Sequence, residues 1–368
     1  MSHLSGSLRR VINAWGTPTP FGVSRSDAAV AQAAADMLQR HVVMAELQAR
    51  TGQALAAWSG AEAACVTHCS ASAITLAVAA CMSGLDGARI AQLPDVRGLP
   101  HRVLMLASHQ VNYGHAIKQA VRLAGARPVP CATVEDLDAA AATGSVACVL
   151  AVESHLAPGC GPAQTAALLA LARRVDVPLV LDAAAQDWRA AELVGSGASL
   201  VLLSGQKYLR APTAGLVLGR AALVAAVDAQ HGGIGRGMKP TKEALAGVLA
   251  ALQARVGTSR VDWLAAQQLK VAALEHDLAD WPGVQTHREP DPLRGGFDRL
   301  WLAIDPVITG VDAAALVRRL RDADPVIAVA PHRVAQGLIG LELSGVDDSE
   351  MADLCAGLQR ALVNGTGV

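Results

Sequence analysis

From about residue 60 the chain alternates short apolar runs with helical patterns, and few folds accept such an order. "AEAACVTHCS" runs into a helical stretch from about Ala71 to Met82, and "HRVLMLASHQ" precedes one near Tyr113–Ala124. "VACVLAVESH" precedes another near Ala163–Arg174, and "VPLVLDAAAQ" and "SLVLLSGQK" then follow in quick succession. Continuous apolar runs bounded by turn residues suit strands covered on both faces. Strands alternating with helices predict an α/β fold, a mainly parallel central sheet with helices on both faces. Only 3% of residues are aromatic although 52% are hydrophobic, so Ala, Val and Leu must build the core.

In a parallel sheet the ligand site lies beyond the carboxyl ends of the strands. The polar residues gather at those ends: Ser70 and Ser72, His109, Glu153 and His155, Asp182, and Ser204 with Lys207. Lys207 is one of five lysines and leaves an apolar strand at the mouth of the core. Burial there lowers an amine's pKa and makes it a better nucleophile. Asp182 stands 25 residues earlier, at the end of what reads as a neighbouring strand. An aspartate at a strand end is often a helix cap or a metal ligand, yet no second carboxylate or His–Cys set is spaced to complete a metal site. Lysine with aspartate suits another chemistry, an imine to pyridoxal 5'-phosphate with a carboxylate facing the pyridinium nitrogen. "THCSASAI" supplies small residues at a strand-to-helix junction, where free N–H groups and the helix dipole favour the cofactor's phosphate. Taken alone, Ser70 reads as an N-cap and Lys207 as a surface loop residue; their convergence favours the site.

The remaining composition excludes other classes. A net charge of −1 without a basic run argues against a nucleic-acid binder. Seven cysteines with no C-x-x-C suit a reducing compartment, and "MSHLSGSLRRVINAWG" has no apolar signal region, so a cytoplasmic protein is expected. No stretch is a credible membrane span. The glycine-rich basic loop "HGGIGRGMKPTKEAL" resembles a dinucleotide fingerprint only weakly, because no strand precedes it in a βαβ context. Helical and apolar patterns from Trp263 onward predict a small α+β domain. The expected organisation is an N-terminal segment (1–50) packing with the small domain or a dimer partner, a large domain (51–258) and a small domain (259–368).

"DAAAQ" followed by "LVLLSGQKYLRAPTAGLVLGR" resembles the pyridoxal-phosphate enzymes related to bacterial selenocysteine synthase and D-glucosaminate-6-phosphate ammonia lyase. "VINAWGTPTPFGVS" looks like that family's Asn-Ala-x-Gly-x-x-Thr segment, and "ELQARTGQALAAWSGAEAACVTHCSASAITLAVAACMSG" is similar to its cofactor-phosphate region. The resemblance covers roughly Val11 to Leu252. It implies the aspartate-aminotransferase fold (fold type I), usually a homodimer or larger assembly with shared sites. It makes Lys207 the cofactor lysine and the base at Cα, and Asp182 the pyridinium partner. Ser70, Ala71, Ser72 and Ser204 become the phosphate cup, and His109 a ring-stacking residue. His155, Arg210, Arg236, Lys239 and Arg333 become candidates for the substrate's acidic groups or the cofactor oxygen. Two departures stand out. The family's tRNA-binding synthase carries an extra domain and a basic surface not read here, so selenium transfer to tRNA is not expected. "PVIAVAPHRVAQ" lacks an arginine directly after its strand, leaving Arg333 or His332 to substitute. The expected activity is a lyase acting on an amino acid or amino-sugar acid to give a 2-oxo acid and ammonia. An aldolase, racemase or aminotransferase, or a catalytically silent binding protein, are the alternatives on the same scaffold.

Overall fold

The computed structural model describes residues 8–292 and 295–363. In chain order its strands are β1 (Val11–Ala14), β2 (Ala63–Thr67), β3 (Arg102–Leu106), β4 (Arg127–Cys131), β5 (Val146–Val152) and β6 (Leu179–Asp182). They continue with β7 (Leu200–Ser204), β8 (Gly215–Gly219), β9 (Val284–Pro290), β10 (Asp298–Ile304), β11 (Val326–Val329) and β12 (Leu338–Leu341). The chain divides into a large unit, Ser26–Gly257, and a small unit made of the residues up to Arg25 and from Thr258 onward.

The large unit holds a seven-stranded sheet in the order β2-β8-β7-β6-β5-β3-β4. β8 runs antiparallel to both neighbours, while the pairs among β3 to β7 are parallel. The period of two along each strand distributes its side chains to two separate cores. Leu104, Val149, Leu181, Val201 and Leu216 pack on one face. Val103, Leu150, Val180, Leu202 and Val217 pack on the other. Burying one such side chain stabilises the fold by about 1.5–3 kcal/mol, so both faces must be covered by helices. Helix Ser70–Ser83 covers the second face, and Ala73, Ala77, Ala79 and Ala80 in it are all but inaccessible. Alanine lets that helix approach the sheet closely where a larger side chain would hold it off. β4 contains Pro128 and Pro130, which a strand tolerates at the sheet edge it occupies.

The small unit joins the antiparallel sheet β12-β10-β9 to a parallel pair, β1 with β11. The "NAWG" motif has a structural meaning there. Asn13 accepts a hydrogen bond from the Trp15 N–H at 3.1 Å and donates to the Gly16 carbonyl at 2.8 Å, closing the turn after β1. Gly16 has φ +91°, and a Cβ on it would fall 2.3 Å from the Glu342 carboxylate.

Several expected elements shift. The helix expected from Tyr113 begins at Lys118. Gly114 takes φ +102°, and an Asn112–Ala116 bridge turns the chain back, so residues 112–117 form a loop. β1, β4 and β9 carry too little alternation to be read from sequence. Residues 26–50 fall in the large unit rather than with the small one, because helix Ala28–Leu38 lies along helix Lys242–Val256. Lys270, in helix Arg260–Leu278, donates to the Val346 carbonyl at 2.6 Å. No described helix is long and apolar enough to cross a membrane.

Gly215 faces the end of β2 so closely that a Cβ would lie 2.3 Å from the Cys69 carbonyl oxygen and 2.4 Å from Thr67 Oγ1. Gly215→Ala should therefore cost about 1–3 kcal/mol, as overpacking does. Urea unfolding followed by circular dichroism should show a lowered midpoint; an unchanged midpoint would mean that β2 and β8 can separate freely.

Candidate active site

β6 and β7 are parallel neighbours, with Asp182 level with Leu202, so Asp182 and the loop after Ser204 emerge side by side. Asp182 is 2% exposed, and its Oδ1 has no hydrogen-bond partner. Burial raises its carboxyl to about 6, opposed by the Lys207 charge and the Ala184 N–H. Burial likewise lowers the Lys207 ammonium, opposed by Asp182 and by a second carboxylate, Asp187. The lysine is mounted on a tight loop. Gly205 N–H donates to the Ala214 carbonyl (2.8 Å), Ala211 N–H to Gly205 (2.9 Å), and Arg210 N–H to Lys207 (3.1 Å). Arg210 holds φ +58° there, and its guanidinium reaches Asp27 at 3.5 Å. The ring of Tyr113 lies over the lysine, its centroid 5.6 Å from Nζ. Partial burial and then the Asp182 charge push its phenol pKa up, against a hydrogen bond with Ser154.

A place for an anion opens at the N-terminus of helix Ser70–Ser83. The N-cap is Cys69, whose sulfur meets the Ser72 N–H at 3.5 Å and the Ser72 hydroxyl at 3.2 Å. Sulfur is a weak acceptor, and the first-turn N–H groups of Ser70 and Ala71 have no carbonyl within the helix. Ser204 lies at the buried end of β7 with its N–H on the Ala184 carbonyl. The basic loop stands close by, since the His68 N–H donates to Met238 at 2.8 Å. Arg236 and Lys239 on that loop are exposed. Two of its four glycines serve packing: a Cβ on Gly233 would meet Ile90 at 2.7 Å, and one on Gly235 would meet Gln230 O and Leu76 at 2.8 Å.

His109 is buried, and both ring nitrogens are engaged. Its Nδ1 accepts from the Val152 N–H at 3.2 Å, so the proton sits on Nε2, which meets Gln164 Oε1 at 2.6 Å. Burial lowers its pKa, outweighing Gln164 and Glu153, and the imidazole stays neutral with its plane fixed. His155 is exposed on the loop after β5. Arg333 belongs to the small unit, where it pairs with Glu289 at 2.6 Å and stacks on Trp301 at 4.1 Å. Three participants escape a sequence reading. Tyr113, one of two tyrosines, reads as part of a helix. Asp187 and Arg255 form a buried ion pair near the lysine loop, 68 residues apart with no local signal.

A buried carboxylate oxygen without a partner, an amine beside it and a helix start able to receive an anion together fit pyridoxal phosphate: ring nitrogen, carbonyl carbon and phosphate each find a counterpart. The sheet order and this site define the pyridoxal-phosphate enzymes of fold type I. No family model matches the chain. The D-glucosaminate-6-phosphate ammonia lyase of Salmonella typhimurium (strain 14028s / SGSC 2262) is 33% identical over 361 residues, covering 96% of this chain and 95% of its own. A 5'-C-glycyluridine monooxygenase-decarboxylase from Streptomyces sp is 33% identical over 343 residues, covering 90% and 84%. A solved D-glucosaminate-6-phosphate ammonia-lyase superposes with TM-score 0.88 at 30% identity over all of both chains. A serine palmitoyltransferase from Sphingomonas wittichii, at TM-score 0.61 and 12% identity over 96% of this chain and 87% of its own, shares the fold alone. The chain is an enzyme and belongs to the family of the D-glucosaminate-6-phosphate ammonia lyase.

The raised Asp182 carboxyl has a consequence for the cofactor-free protein. Between the unfolded value of about 3.9 and the folded value of about 6, the folded state keeps a proton that the unfolded state has lost. Stability should therefore fall as pH rises through that window, by roughly 3 kcal/mol in total. Asp182→Asn should remove this component. Unfolding free energies measured from pH 4 to 7 should diverge between the two proteins; parallel curves would place the proton elsewhere.

Proposed function

We propose that this enzyme is a pyridoxal-phosphate-dependent lyase that converts an amino-sugar acid to a 2-oxo acid and ammonia. The observation that carries this reading is the unpartnered Asp182 oxygen within electrostatic range of the half-buried Lys207 amine, on a chain that matches an ammonia lyase along nearly its whole length. When bound, the cofactor supplies a sink for the electron pair left at the substrate's Cα. Lys207 would hold it by an imine and Asp182 would keep its ring nitrogen protonated. Ser70, Ala71, Ser72 and Ser204 would take its phosphate, and the fixed face of His109 would support its ring.

Lys207 does the proton work. With the cofactor bound, Nζ would accept the Cα proton, and burial, by lowering its pKa, favours the uncharged amine that can do so. Tyr113, held protonated and placed over the lysine, donates to a hydroxyl leaving Cβ. Loss of that hydroxyl as water leaves an enamine, which hydrolyses to the 2-oxo acid and ammonia. Arg210, Arg236 and Lys239 are suited to the acid or phosphate groups of a sugar acid. His155 is a weaker candidate, and Arg333 weaker still because Glu289 already engages it. Reaction with dioxygen, in the manner that the Streptomyces relative's name describes, is the competing outcome.

Borohydride reduction of the cofactor-loaded protein, followed by peptide mapping, should label Lys207 and no other lysine. Lys207→Arg should lower turnover roughly a thousandfold or more. With 2-amino-2-deoxy sugar acids and their phosphates, the wild type should release ammonia without an amino acceptor and without oxygen uptake. Acceptor-dependent turnover or oxygen consumption would replace the lyase reading, and label on another lysine would overturn the site.

The enzyme is further read as a homodimer or larger. Support comes from Leu38, Val42, Val43 and Met44, apolar side chains exposed together where the first two helices of the large unit connect. Sedimentation equilibrium should give a mass at least twice the chain's 37.8 kDa. A monomer retaining full activity would refute shared sites.

A further inference from the structure

Behind the lysine loop lies an ion pair for which the proposed chemistry has no use. Asp187 sits in the 3-10 turn Asp187–Arg189, five residues past Asp182, with its side chain fully buried. Arg255 comes from the last turn of helix Lys242–Val256, with 8% side-chain exposure. One nitrogen of its guanidinium binds the Asp187 carboxylate and the other binds the carbonyl of Tyr208, the residue after Lys207. The guanidinium also stacks on Trp188, 3.6 Å from the ring centroid. A single planar fork thus ties three segments together: the turn after β6, the loop after β7 and a helix end. The second Asp187 oxygen, Oδ1, has no hydrogen-bond partner. Asp187 and Lys207 lie close enough for each to feel the other's charge.

Two buried carboxylates near one amine create a hazard. Two negative neighbours would hold the amine as an ammonium, and an ammonium can neither form an imine nor accept a proton. We infer that Arg255 is the positioning residue for Lys207: it fixes the lysine loop through the Tyr208 carbonyl and engages Asp187, so that Asp182 remains the lysine's principal counter-charge. The inference rests on the reading of Lys207 as the cofactor lysine, and it assigns the poise of that lysine to the Asp187–Arg255 pair behind its loop. The groups facing Lys207 are Asp182 from β6, Asp187 with Arg255 behind it, and Tyr113 from the loop after β3. Lysine in place of Arg255 would keep a charge but lose the planar fork that spans carboxylate and carbonyl.

The test measures the lysine directly in the full-length, cofactor-free chain. Brief acetylation with acetic anhydride across pH, read by peptide mass spectrometry, gives the half-titration pH of Lys207. Asp187→Asn removes a negative neighbour and should lower that midpoint by about one unit. Arg255→Met uncovers Asp187 and should raise it by a similar amount. The double variant should return close to wild type. Removing one partner of a buried pair is strongly destabilising; where Arg255→Met is not recovered folded, Arg255→Gln, which keeps amide donors but no charge, takes its place and should likewise raise the midpoint. A midpoint that stays put or falls on loss of the Arg255 charge overturns the inference. A midpoint that stays put or rises in Asp187→Asn overturns the inference. Because no cofactor is present, that result is independent of borohydride mapping, which alone judges whether Lys207 holds the cofactor.

Discussion

The site depends on a buried carboxylate and a half-buried amine at the end of an apolar sheet. Moving each ion from water costs several kcal/mol, and their mutual attraction offsets only part of that. Asp182 and Lys207 respond in opposite directions, the acid becoming weaker and the ammonium more acidic. Both groups are thereby drawn toward neutrality where other carboxylates and lysines are charged. An unmade hydrogen bond at Asp182 Oδ1 costs about 1–3 kcal/mol more. A ligand that presents an N–H to that oxygen and a carbonyl to the amine recovers this energy, which is how a strained polar site becomes an affinity.

Holding that pair requires a rigid sheet, and the chain builds one almost without aromatic residues. Small side chains let helices lie close. The alanines of helix Ser70–Ser83 bring its N-terminus to the end of β2, and Gly215 lets β8 pass against the Cys69 carbonyl. The position of that helix start follows from packing, because no bulk separates the helix from the sheet. Gly235 does the same for the basic loop.

Two relatives at equal identity carry different named activities on this scaffold. A fold that hosts several reactions leaves the choice to groups around the reacting carbons. Around Lys207 those groups include the Asp182 and Asp187 carboxylates and the Tyr113 ring. None of them alters the sheet, which is why the reaction can diverge while the architecture stays.

Much of the architecture was legible because it is periodic. Alternating apolar runs announced β2, β3 and β5 through β8, and polar residues close them, with Asp182 ending β6 and Lys207 in the loop after β7. Local chemistry also announced the basic loop and a helix from about Ala71, one residue late, since Cys69 rather than Ser70 is the N-cap. Tertiary structure alone decided what rests on distance rather than order. Tyr113 reads as the start of a helix until Gly114 turns the chain and carries the ring over Lys207. Residues 26–50 join the large unit because one helix finds another more than 200 residues away. Asp187 and Arg255 carry no mutual signal, since an ion pair closed across 68 residues leaves no period in the sequence. Sequence fixes which faces are buried; which charges then meet beneath those faces is settled only when the elements pack.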